Sequence, residues 1–313
     1  MASFRVLGVF VIVWLALASG CTRAPPTGET TLKPKSVAEV QEYLTTRKVD
    51  FDEFRLRGPF AVVTKENHEL RLSAKVSVKA DVYLSEPKEK APLVIFLHGY
   101  GASKEAHSFQ AMHLASWGVH SISVQLPNKG PWVPNGRTLA RIVSLMHASP
   151  ELIDSRIDGN KIILVGHSFG GAAVSVALAE GARAIGGILL DPALMDKAFP
   201  TLLQRIKQPV LVLGADEEIA SARNRDYFFY YVRSNIMELS VRDASHEDAQ
   251  WPSDYALQNR GYDPSTTEEV QITFASAITT AIMSLSATGA FDRAWASFSP
   301  GFASGKFFDA KKK

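Results

Sequence analysis

The chain has 313 residues, 46% hydrophobic and 21% charged, a balance that excludes a disordered or collagen-like chain and a multi-span membrane protein. Thirty-four Lys and Arg against 32 Asp and Glu leave a formal charge of +2. That is too small a basic excess to gain affinity by counterion release, so nucleic acid is not an expected partner.

The chain opens as a leader. Arg5 precedes an apolar run over residues 6–18, followed by Ser19, Gly20 and Cys21, the pattern of a secretory signal peptide over residues 1–20. The run is short of the roughly 20 residues a membrane-spanning helix needs, so cleavage is expected. Ala18-Ser19-Gly20-Cys21 resembles the lipobox of bacterial lipoproteins, although Ala18 departs from the preferred Leu. The resemblance implies lipidation of Cys21 and a membrane as partner. The expected location is the cell envelope, with a secreted soluble protein as the alternative. Cys21 is the only cysteine, so no disulfide framework exists. Residues 21–35 read as a polar tether.

One domain is expected over 36–290. Val37, Val40 and Leu44 carry the 3-and-4 spacing of an amphipathic helix over 36–48. Residues 60–65 and 76–84 alternate with period 2, predicting an antiparallel hairpin. Short apolar runs at 92–97, 118–124, 161–165, 185–190, 209–213 and 236–241 then predict strands buried on both faces. Helices are expected between them at 113–117, 168–180 and 224–232, with a closing helix at 270–285. This alternation predicts an α/β fold with a mostly parallel, doubly wound sheet. Residues 291–313 read as a C-terminal tail without a functional signal.

The chemistry concentrates where the run 161–165 enters Gly166-His167-Ser168-Phe169-Gly170 and then a helix. G-x-S-x-G in a strand-turn-helix setting exposes a nucleophilic serine on a sharp turn, here Ser168. The oxyanion of such a nucleophile needs backbone donors, one from the residue after it, Phe169, and one from an earlier strand-end loop. His98-Gly99-Tyr100-Gly101 ends the run 92–97 and offers the Tyr100 N–H, with His98 expected to shape the loop. The base should follow in the order nucleophile, acid, histidine, and of eight histidines only His246 follows Ser168. Two strand ends carry candidate acids. Asp191 is favoured because it stands directly at its strand end with Pro192 fixing the turn; Asp216 and Glu218 remain the alternatives. No His, Cys and Asp cluster has metal-ligand spacing and no Gly-rich phosphate loop appears, so no cofactor or metal is expected.

At these residues the sequence resembles the α/β-hydrolase superfamily, and within it the plasma-type platelet-activating-factor acetylhydrolases and the related chlorophyllase and polyester-hydrolase groups. The likeness runs over about residues 92–251. It is strongest at His98-Gly-Tyr-Gly-Ala, Leu114-Ala-Ser-Trp-Gly, Gly166-His-Ser-Phe-Gly-Gly-Ala and Leu190-Asp191. It implies the α/β-hydrolase fold, an acid matching Asp191 and a histidine matching His246. The implied function is a serine esterase, lipase or acetylhydrolase acting on a small-molecule or lipid ester. A peptidase or acyltransferase of the same fold is one alternative, and a non-catalytic envelope lipoprotein that binds a partner is another. The sequence departs from these groups in its leader and in the loop 126–136 around Trp132, where substrate choice resides.

Overall fold

The computed structural model describes residues 49–86, 89–127, 132–216, 224–252 and 268–313, with positions 38, 39 and 42 before them. The leader, Cys21, the tether and Glu218 lie outside the described residues. Of the expected helix 36–48 only Ala38, Glu39 and Glu42 are described, and they are helical.

Nine strands form one sheet among the described residues: β1 Val62–Ser73, β2 Val76–Ser85, β3 Ala91–Leu97, β4 His120–Val124, β5 Ile157–His167, β6 Gly186–Leu190, β7 Val210–Gly214, β8 Ile236–Val241 and β9 Phe307–Lys312. Their order is β1-β2-β4-β3-β5-β6-β7-β8-β9. Strands β4, β3, β5, β6, β7 and β8 run parallel. The hairpin β1-β2 is antiparallel and joins this block through β4. The α/β-hydrolase arrangement expected from the sequence is therefore present.

Strands β3, β4, β6, β7 and β8 are buried along their whole length, as continuous apolar runs require. Alternate side chains serve two cores, because successive residues of a strand point to opposite faces. Leu93, Ile95 and Leu97 face one core with the helices α2 Trp132–Ala148 and α3 Phe169–Ala179. Val94 and Phe96 face the other with α1 Ser108–Ser116 and the long helix Glu268–Thr288. Each such side chain contributes roughly 1.5–3 kcal/mol by leaving water. The helix Glu268–Thr288 is apolar and long enough to cross a membrane, but it is mostly buried inside this unit.

Two expectations change. The loop expected over 126–136 ends early, because α2 begins at Trp132. Pro134 lies in its first turn, where a missing N–H costs nothing. The residues read as a C-terminal tail form the short helices Asp292–Ser297 and Ser299–Ala303 and then β9, which pairs antiparallel with β8. Phe291, Phe298 and Phe307 are buried in the second core. The Phe307 ring lies 5.0 Å from Phe51 and 5.3 Å from Phe298, so the segment covers the otherwise open edge of β8.

Strand β9 also creates a pH-sensitive contact. Glu238 on β8 stands opposite Lys311 and is 2% exposed. Burial raises its carboxyl pKa to about 7, against the opposing pull of Lys311 and Arg225. Lys311 is only 3.5 Å away but is bonded more closely to Asp226, at 2.6 Å. A raised carboxyl pKa means the folded state holds the proton longer than the unfolded chain, so stability falls as pH climbs from the unfolded value through about 7. Glu238→Gln should therefore raise the melting temperature at pH 8 by roughly 3–6 °C and change it little at pH 5. A shift of equal size at both values would contradict this.

Candidate active site

All the candidate residues that are described lie at the carboxyl ends of the parallel strands, where an open α/β sheet forms its crevice. Ser168 sits between β5 and α3 with φ 53° and ψ −121°, a left-handed backbone that costs a non-glycine residue of order 1–3 kcal/mol. The turn is held in place from both sides. The Ser168 N–H donates to the Leu190 carbonyl at 2.9 Å, and its own carbonyl accepts from Ala172 and Ala193 at 3.2 and 3.0 Å. Gly170 permits the close approach: a Cβ there would lie 2.4 Å from the Leu97 carbonyl oxygen and 2.6 Å from that of His98.

The loop after β3 lies against this turn, since a Cβ on Gly99 would be 3.1 Å from the Ser168 Cβ. His98 holds the loop from beneath. Its Nδ1–H donates to the Gly99 carbonyl at 2.8 Å, and its Nε2 accepts from the Leu126 N–H at 3.1 Å. Burial lowers its pKa, so the ring is neutral and structural. Further along, buried Lys104 donates to Asp81 at 2.7 Å and to Glu105 at 2.6 Å. Lys104 and Asp81 are both buried, so removing either would leave an uncompensated charge. The loop is thereby fixed to β2. Tyr100, about half exposed, meets the Phe169 ring edge-on at 6.2 Å, and Phe169 stacks on Trp132 at 4.7 Å with ring planes 9° apart. One flank of Ser168 is thus aromatic.

Asp191 ends β6 with φ 36°. Its Oδ1 accepts from the Ala215 N–H at 3.2 Å, and its Oδ2 accepts from His246 Nδ1–H at 2.6 Å. Both side chains are mostly shielded from solvent. With Nδ1 carrying the proton, the lone pair of a neutral His246 ring resides on Nε2, the form a general base requires. His246 opens a short 3-10 turn, His246–Ala249, closed by a capping box between Ser245 and the fully buried Asp248.

The structure thus brings Asp191 and His246 together. The Asp216 carboxylate is turned to the backbone of the same loop instead: its Oδ2 accepts from the Asp243 N–H at 2.6 Å. Glu218 is outside the described residues. One neighbour escaped the sequence reading. His167 Nε2–H donates to the His246 carbonyl at 2.9 Å, and the two rings lie 4.3 Å apart. The only available signal was its place inside G-x-S-x-G, directly before the serine. Through it the loop of His246 is anchored one residue from Ser168. No group of three or more His, Cys, Asp or Glu side chains is placed to hold a metal among the described residues.

Comparison with known proteins bears on the family and the fold. Residues 94–302 match the sequence model described as "Alpha/beta hydrolase family", and residues 61–126 match that of "Platelet-activating factor acetylhydrolase, isoform II". Platelet-activating factor acetylhydrolase of Bos taurus is 27% identical, over 41% of this chain and 40% of its own length. That of Canis lupus familiaris is 38% identical over 27% and 18%, and that of Cavia porcellus 24% over 51% and 48%. The chain spans less than half the length of each of these relatives.

Proposed function

The chain belongs to the alpha/beta hydrolase family, and from that premise we propose that it is a serine hydrolase cleaving carboxylic esters through an acyl-enzyme. The observation that carries this reading is the 2.6 Å contact between His246 Nδ1 and Asp191 Oδ2, on a loop tied to the residue before Ser168.

In the proposed cycle Ser168 Oγ attacks the ester carbonyl carbon while His246 Nε2 takes the hydroxyl proton. The carbonyl π pair moves onto oxygen, where the Tyr100 and Phe169 N–H groups stabilise it. When the oxyanion collapses, the C–O bond to the alcohol breaks, and His246 returns its proton to the departing oxygen. Water then attacks the acyl-serine by the same route, releasing the acid and restoring Ser168. Asp191 keeps its charge throughout, orients the imidazole and stabilises the imidazolium. The aromatic flank of Tyr100 and Phe169 favours an apolar substituent, and the acetylhydrolase relatives favour a short acyl chain.

A panel of p-nitrophenyl esters of increasing acyl length tests the reading, assayed beside the amide analogues. Ester turnover that falls with chain length is expected. Turnover of amides alone would overturn it.

We further propose that the protein is an exported lipoprotein of the cell envelope, on the strength of the leader and of Cys21. Expression of the full chain in a bacterium should give globomycin-sensitive processing and a lipid label on Cys21. Cys21→Ser should mislocalise the protein without altering the specific activity of the soluble domain. Clean secretion without a label would remove the membrane from the account.

A further inference from the structure

Asp216 ends the strand next to that of Asp191, yet its carboxylate turns toward the histidine loop. Its Oδ2 accepts from the Asp243 N–H at 2.6 Å, and its own N–H donates to the Ala244 carbonyl at 2.7 Å. These two bonds grip the chain two and three residues before His246. The gripped turn is a demanding one, because Asp243 has φ 58°, a left-handed conformation that an L-residue keeps only when its surroundings enforce it. The same strand end also holds the acid. The Ala215 N–H donates to Asp191 Oδ1 at 3.2 Å, and the Asp191 N–H donates to the Leu213 carbonyl at 2.9 Å. Residues 213–216 therefore touch the acid on one side and the base loop on the other.

We propose that Asp216 is a positioning residue that sets His246 against Asp191. This rests on the triad reading above. The Ser245–Asp248 capping box ties the residue before His246 to the turn that follows it, and His167 holds the His246 carbonyl; among these contacts the turn at Asp243 is held by the Asp216 carboxylate. Losing the carboxylate frees the turn at Asp243 and lets the ring drift on the approach side. A displacement of about 1 Å can cost about a hundredfold in rate. The role needs an acceptor oxygen and not a charge, so an amide can take it over.

The test compares Asp216→Ala, Asp216→Asn and the parent by kcat, KM, thermal melting and the far-downfield proton resonance of His246 Nδ1–H. Asp216→Ala should lower kcat about 10²-fold, leave KM within about threefold, and broaden or remove the resonance. Asp216→Asn should bring kcat back to within about tenfold of the parent and restore the resonance. Should the alanine variant melt below the assay temperature, Asp216→Ser carries the same expectation, being too short to reach the Asp243 amide. The proposal is overturned if Asp216→Ala leaves kcat and the resonance intact, or if Asp216→Asn is as impaired as Asp216→Ala. A parent inactive on every ester would instead fault the esterase reading, while the resonance in the three proteins would still decide the role of Asp216.

Discussion

Ser168→Ala should abolish ester hydrolysis, with a loss of at least about three orders of magnitude in kcat, while the domain keeps its fold. The chemical half follows from the mechanism, since no neighbouring group replaces the attacking oxygen. The structural half follows from the turn. Ser168 is fixed through its backbone N–H and carbonyl, which alanine keeps, and although the residue is buried the change removes a single hydroxyl and little packing. Melting temperature should move by no more than a few degrees. An alanine variant that is folded and active would remove Ser168 from the chemistry.

Asp191→Asn should cost roughly four orders of magnitude in kcat. The carboxylate accepts from Ala215 through Oδ1 and from His246 through Oδ2. An amide can keep the first bond with its oxygen, and it then presents an NH₂ to His246 Nδ1. That donor forces the opposite tautomer, with the proton on the nitrogen that must receive one from serine. Asp216→Asn should cost about tenfold or less, because it retains an acceptor for Asp243. The variants are to be compared after thermal melting, since Asp191 caps a buried strand. If Asp216→Asn is the crippling change and Asp191→Asn stays within tenfold of the parent, the acid is on β7.

Much of this arrangement was legible in the sequence because the signals were physical ones. Continuous apolar runs at 92–97 and 209–213 require a strand covered on both faces, and those strands are buried. Gly166 to Gly170 marked the strained turn at Ser168, and chain order singled out His246, which lies against Asp191. The sequence favoured Asp191 by its place at the strand end and by resemblance, and left Asp216 and Glu218 as alternatives. Asp191 and Asp216 stand at the ends of adjacent parallel strands, and only the direction of each carboxylate separates them. Strand β9 was missed for a different reason. Its exposed edge carries Asp309 and Lys311 to Lys313, which read as a solvated tail, while Phe307, the residue that commits it to the core, is single. Helix α2 was hidden by Pro127, Pro131 and Pro134, of which Pro134 falls within its first turn.

The central claim is that ester hydrolysis runs through Ser168, and covalent trapping tests it most directly. The protein is treated with a fluorophosphonate, residual p-nitrophenyl acetate hydrolysis is followed, and the labelled peptide is identified by mass. The account predicts a single adduct on Ser168, with activity lost in proportion to labelling and protection by excess substrate. Labelling of another residue, or hydrolysis that survives complete modification of Ser168, would contradict it.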